Sequence, residues 1–185
     1  MIDTPLRLHP SHYLLLGLVA RQPSHGYELA RRLKEPGSPG QIWQVRQANL
    51  YALLEDLEEA DLLKAIELRV QPAPARREYW ITTTGSEELK RWLAEPAAKP
   101  RDFRPEFLIK HYLTRLLNGD DAARSLRDLQ IRTCMAWLIM LESPETEASA
   151  EELRLYRREI IQAQLRWLEA LNRLEPLKGA SIHES

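Results

Sequence analysis

The 185-residue chain contains a single cysteine, Cys134, so no disulfide can form within it. It also lacks an excess of positive charge: 26 Lys and Arg stand against 27 Asp and Glu, a formal net charge of -1. A strongly basic total would point to nucleic acid; here any such reading must rest on where the charges sit. No apolar run is long enough to span a bilayer, so no membrane partner is expected. Asp3, Pro5, Arg7 and His9 do not follow the basic-then-apolar layout of a signal peptide. These absences lead us to expect a soluble chain in a reducing, cytoplasmic setting. A Gly-rich phosphate loop, an internal repeat and a low-complexity segment are missing as well. His9 and His12 lie three apart, but no carboxylate or further ligand follows at metal spacing, and Cys134 has no evident base nearby. The expectation is a non-enzymatic protein with no metal and no cofactor.

What is present is helix-forming pattern. The chain is 44% hydrophobic, enough for a core in one or two small domains. Residues 12–20 are apolar and predict a first helix with Ser11 as its cap. Ser24 predicts the cap of a second helix over 27–34, with Leu29, Ala30 and Leu33 inside. A Pro- and Gly-rich loop over 36–40 follows. Leu50, Leu53, Leu54 and Leu57 share one face of a third helix over 47–60. Two strands are expected, over 65–70 and 77–82. The first alternates Ile66, Leu68 and Val70 with polar residues, and the second puts Tyr79 and Ile81 on one face. The loop between them is too long for a two-residue turn. A helix capped by Thr84 or Thr82 then carries Leu89, Trp92 and Leu93. Residues 95–105, rich in Pro, Ala and charge, read as a linker. Three further helices are expected: 106–117, ended by Asn118 and Gly119; 121–142, capped by Asp120; and a last one reaching 174, opened by Ser149 with Glu152.

The implied fold is mainly α with a small β-hairpin. An N-terminal winged helix-turn-helix occupies 1–94, a linker 95–105, a C-terminal α-helical dimerisation and effector domain 106–175, and a tail 176–185. In winged helices the third helix enters the major groove and the hairpin loop reaches the backbone or minor groove. With its leucines facing inward, that helix centres Ala48 and Ala52 on its outward face, where small side chains allow close approach to base edges. Asn49 beside them can pair bidentately with adenine, and Tyr51 can bond a phosphate or pack on a thymine methyl. Arg46 and Gln47 sit at the helix N-terminus, whose free amides favour phosphate. Arg21, Arg31, Arg32 and Lys34 cluster in the approach to this helix, and Arg69, Arg76 and Arg77 bracket the wing loop. Glu55, Asp56, Glu58, Glu59 and Asp61 gather in the helix's second half. The outward-pointing Glu55 and Asp56 keep open a different class of function, a protein–protein adaptor that does not bind DNA.

The last helix carries two apolar stripes. One is Leu153, Tyr156, Ile160, Ala163, Trp167, Leu171 and Leu174; the other is Ile161, Leu165 and Leu168. Two faces need two partners, the preceding helix and a second copy of the chain, which also supplies the two-fold symmetry of a palindromic operator. Tyr156, Ile160, Ile161, Trp167, Leu168, Leu171 and Leu174 are the expected dimerisation residues. Cys134, Trp137 and Met140 make the preceding helix soft and aromatic, a surface able either to form core or to hold a small aromatic or lipophilic effector.

Several segments resemble the PadR family of bacterial transcriptional regulators. They are Leu16-Gly17-Leu18-Val19-Ala20, Ser24-His25-Gly26-Tyr27-Glu28-Leu29, Trp43, Leu50-Tyr51, Leu57-Glu58 with Leu62-Leu63, and Tyr79 to Thr82 with Gly85. The likeness covers residues 13–93 in register. Residues 105–110 and 156–168 look like the family's longer-tailed subgroup. The resemblance implies a homodimer on double-stranded operator DNA, repression of transcription, and C-terminal helices that form the dimer and an effector pocket for phenolic acids or lipophilic drugs. His25 and Tyr27, within the matching motif, join the DNA-facing set. Three departures stand out: Arg46 in place of a capping serine, Glu55 and Asp56 in place of cations, and Asp61 in place of a glycine.

Overall fold

The computed structural model describes residues 8–38, 40, 47–68, 76–142 and 151–173. Helix α1 (Pro10–Arg21) begins with proline behind an N-cap at His9. Proline suits a first turn because the amide it lacks has no helical partner there. The helix therefore starts two residues before the expected position, and Ser11 lies inside it. Ser24 does not cap the second helix. It belongs to a two-residue strand, β1 (Ser24–His25), that pairs with Tyr79, and its hydroxyl donates to the Gln22 carbonyl at 2.9 Å. Helix α2 (Gly26–Arg32) follows.

Helix α3 (Gln47–Glu59) buries Leu50, Leu54 and Leu57 and half-buries Leu53, the stripe its spacing predicts. It ends at Asp61, whose φ of 55° is left-handed and lets the chain turn back into the sheet. Strands β2 (Leu63–Leu68) and β3 (Arg76–Ile81) complete an antiparallel sheet in the order β1-β3-β2. The phase of β2 is the reverse of the expected one. Leu63 is buried, whereas Ile66 is 41% exposed. The strand begins two residues earlier than its β-branched signal, and the leucine directly after the turn takes the inward position. Helix α4 (Thr83–Ala94) is capped by Thr82, whose hydroxyl accepts from the Gly85 amide at 2.9 Å.

The segment after α4, read as a linker, is packed. Ala97 is fully buried; its amide donates to Gln130 Oε1 at 2.7 Å. A 3-10 turn, Pro100–Asp102, and a wider π-helical turn, Phe103–Phe107, lead into α5 (Leu108–Asn118). Phe103 and Phe107 are buried and stacked, centroids 4.9 Å apart. Their apolar bulk outweighs the surrounding prolines and charges. Gly119, at φ 89°, turns the chain into α6 (Asp120–Glu142), which packs on α7 (Glu151–Arg173). Ser149 and Leu174 lie outside the described residues.

Two cores result. The first joins Leu14, Leu15 and Leu16 of α1 with Leu54 and Leu57 of α3, Tyr79, Trp92, and also Ile109 and Leu113 of α5. The second joins Phe103 and Phe107 with Leu126, Cys134, Ile161 and Leu168. Each fully buried leucine contributes about 1.5–3 kcal/mol relative to exposure. Lys110 sits where the two meet. It is buried, donates to the Glu95 carbonyl at 2.8 Å, pairs with Glu106 at 2.7 Å, and lies 4.7 Å over the Trp92 ring. Burial pulls its ammonium below the usual lysine range. No helix among the described residues is long and apolar enough to cross a membrane.

Candidate nucleic-acid interface

The inward leucines of α3 leave Asn49, Tyr51, Ala52 and Glu55 exposed on its opposite side. Gln47 and Ala48 belong to the first turn of α3. Arg46 and Arg69, with the rest of the wing loop through 75, lie outside the described residues, and Arg76 opens β3. The Tyr51 ring rests against α2. A Cβ added to Gly26 would meet its Cε1 at 2.6 Å, so the glycine provides the seat for the tyrosine. Tyr27, one residue on, is 72% exposed. His25 Nδ1 lies 3.2 Å from the Arg77 carbonyl and donates to it, tying the start of α2 to β3. Between α2, α3 and β3 opens a cleft of about 680 Å³ whose walls include Tyr27, Tyr51, Glu55, Arg77 and Tyr79. The structure thus brings His25, Tyr27, Tyr51 and Arg77 together, with Asn49 and Ala52 on the same exposed helix.

The charges differ from the sequence expectation in three places. Asp56 does not project freely: its Oδ2 lies 3.2 Å from Nε2 of the buried His12 on α1. Glu58 holds Arg77, whose Nη2 lies 2.9 and 2.7 Å from its two oxygens. Glu55 and Glu59 are the exposed acids of this half-helix. Arg32, counted among the approaching cations, is engaged by Glu28 and Gln22, whereas Arg31 and Lys34 are exposed. The His12–Asp56 and Glu58–Arg77 pairings join residues 44 and 19 positions apart, which spacing does not reveal, whereas Glu28 and Arg32 stand at the helical i, i+4 spacing. The Gly26 seat did have a signal, the glycine within the matching motif.

The C-terminal helices rearrange the expected dimer and pocket sets. Ile161 and Leu168 are fully buried against the chain's own α6, and the turns before α5, so they belong to its core and not to a free face. Tyr156, Ile160 and Trp167 remain exposed at 63, 37 and 37%, and Leu171 is half-buried. Cys134 is fully buried within that core, and burial pushes its thiol up to about 11. It lines no cleft. Trp137 and Met140 do, together with Tyr156, Ile160 and Leu141, around an apolar volume of about 560 Å³. Lys99, Arg101 and Arg157 stand at its edge.

Three helices, a three-stranded sheet with a wing connection, and a third helix exposed along one side define a winged-helix module. Residues 15–91 match the Transcriptional regulator PadR-like family. Over 93 residues it is 34% identical to a "probable transcriptional regulator" of Mycobacterium tuberculosis, covering 50% of this chain and 48% of that one. Over 117 residues it is 26% identical to the negative transcriptional regulator PadR of Bacillus subtilis, covering 63% of each. The matches thus span about half to three fifths of these relatives. A crystal structure of Bacillus subtilis PadR in complex with operator DNA is similar at a TM-score of 0.47 and 21% identity, covering 90% of this chain and 98% of that one.

Proposed function

We propose that this chain is a sequence-specific DNA-binding transcription regulator that acts as a homodimeric repressor in the cytoplasm. The observation that carries the reading is the outward side of α3: Asn49, Tyr51 and Ala52 are exposed together opposite a buried leucine stripe. A base-edge donor and acceptor, an aromatic hydroxyl and a small residue for close approach suit a major groove. Asp56 accepts from His12 and Glu58 pairs with Arg77 within the protein, so Glu55 is the exposed acid left in favour of an adaptor. Negative regulation is the stated role of the Bacillus subtilis relative, and we extend it to this chain.

Dimerisation is supported by the exposed apolar side chains of α6 and α7. Ile139 and Met140 are 71 and 68% exposed, alongside Tyr156 and Trp167, an unusual concentration for a solitary subunit. The cleft of Trp137, Met140, Tyr156 and Ile160 fits a small aromatic or lipophilic effector.

The test is binding to duplex DNA over a range of salt, followed by selection of bound sequences from a random pool. Affinity that falls steeply with salt and a palindromic selected site are expected. No binding to any duplex at low salt would return the adaptor reading. Sedimentation of the wild type and of Tyr156→Glu tests the dimer, the variant being expected to dissociate.

A further inference from the structure

We infer that Arg77 is a positioning residue for the reading helix, fastening α3 to the wing strand through Glu58, and not a free cation for a DNA phosphate. The inference rests on the DNA-binding reading and alters the part this arginine plays in it. Three contacts converge on Arg77. Its Nη2 lies 2.9 and 2.7 Å from the two carboxylate oxygens of Glu58 on α3. Its carbonyl accepts from His25 at the start of α2. Its guanidinium carbon lies 5.7 Å from the centroid of the Tyr79 ring. One residue of β3 thus touches α3 and the residue that caps α2. On the α1 side of α3 the His12–Asp56 contact makes a second fastening, so the acidic half of the helix is held from two directions.

Magnitudes favour geometry over the other roles. The pair is partly exposed, 47% at Arg77 and 32% at Glu58, and water screens such pairs until they contribute little to stability. A phosphate contact gains affinity by displacing condensed counterions. An arginine already neutralised by a carboxylate adds almost no net charge to that exchange. What the pair does supply is a fixed distance between the reading helix and the strand leading from the wing, which a recognition surface needs more than a stable fold does.

The experiment compares full-length wild type, Arg77→Met, Glu58→Gln and the double variant. Each is titrated with a site selected from a random pool and with random duplex, over a range of salt. Both single variants are expected to lower the ratio of selected-site to random affinity several-fold, and the double to be no worse than the poorer single. Arg77→Met is expected to keep the wild-type salt slope. A slope shallower by about one would identify a phosphate contact and overturn the inference. So would a Glu58→Gln variant that binds the selected site more tightly at an unchanged ratio. If the wild type binds no duplex at low salt, the DNA-binding reading fails on its own. The fastening is then read from thermal melting of the same four proteins. A double variant that loses less than the two singles together upholds it; strictly additive losses overturn it.

Discussion

The imidazole of His12 and the carboxylate of Asp56 meet 3.2 Å apart between α1 and α3. His12 is only 3% exposed, and its Nδ1 accepts from the His9 amide at 3.0 Å. Its proton therefore sits on Nε2 and is donated to Asp56. Replacing Asp56 by alanine leaves that buried N–H without its acceptor, at a cost of about 1–3 kcal/mol. Asp56→Asn keeps an acceptor oxygen and is expected to lose less. Urea denaturation measures both; an Asp56→Ala midpoint equal to the wild type's would show that the contact does not form in solution.

Gly26→Ala is expected to displace Tyr51 without unfolding the module. The new methyl would overlap an exposed ring that can swing away, so stability changes little, while the tyrosine loses its seat. Affinity for a selected DNA site should fall toward that of Tyr51→Ala. Undiminished affinity in a folded Gly26→Ala protein would remove Tyr51 from the reading surface.

Acid should weaken the fold through His111. Burial first, then Arg127 and Arg115, lower its imidazole from 6.5 to about 4. Arg127 Nη1 lies 2.9 Å from His111 Nε2, which accepts only when unprotonated. The unfolded chain binds this proton more readily, so the stabilisation is complete above pH 6.5 and is lost as pH falls from there toward about 4. The loss is at most about 3 kcal/mol. His111→Gln should flatten this part of a stability–pH curve; curves of equal slope would rule His111 out.

At Asp61 the left-handed backbone sets the order of substitutions. Asp61→Gly should be neutral to slightly stabilising, while Asp61→Val should lose roughly 1–2 kcal/mol. A melting series checks the order, and a valine variant as stable as glycine would contradict the assigned turn.

Periodicity revealed what periodicity governs. The stripe of Leu50, Leu54 and Leu57 fixed the orientation of α3, and hence the exposure of Asn49, Tyr51 and Ala52. Tyr79, Leu89, Trp92 and Leu93 are buried as their spacing indicates. Competing local signals were harder to rank: Thr82 and Thr84 were both eligible caps, and contacts of Thr82 with the Asp61 and Leu62 carbonyls, distant in sequence, favour the earlier one. In β2, Ile66 carried the stronger strand signal but Leu63 took the core, because the turn at Asp61 sets the phase. The partners of Asp56 and Glu58 are selected by tertiary packing, which no local pattern encodes. A Pro-rich composition likewise concealed the burial of Ala97 and Phe103.

Helix α5 is held at both ends by different neighbours. Phe107, just before it, lies in the C-terminal core, while Ile109 and Leu113 lie in the core of the winged helix, with Gly17 of α1 leaving room for Leu113. A fragment cut after residue 94 would therefore leave apolar side chains of α1 bare to water, and would be prone to aggregate even with every DNA-facing residue intact. A chimera that exchanges C-terminal halves between relatives should place its seam after Gly119, so that the DNA-facing half keeps the helix it is built around.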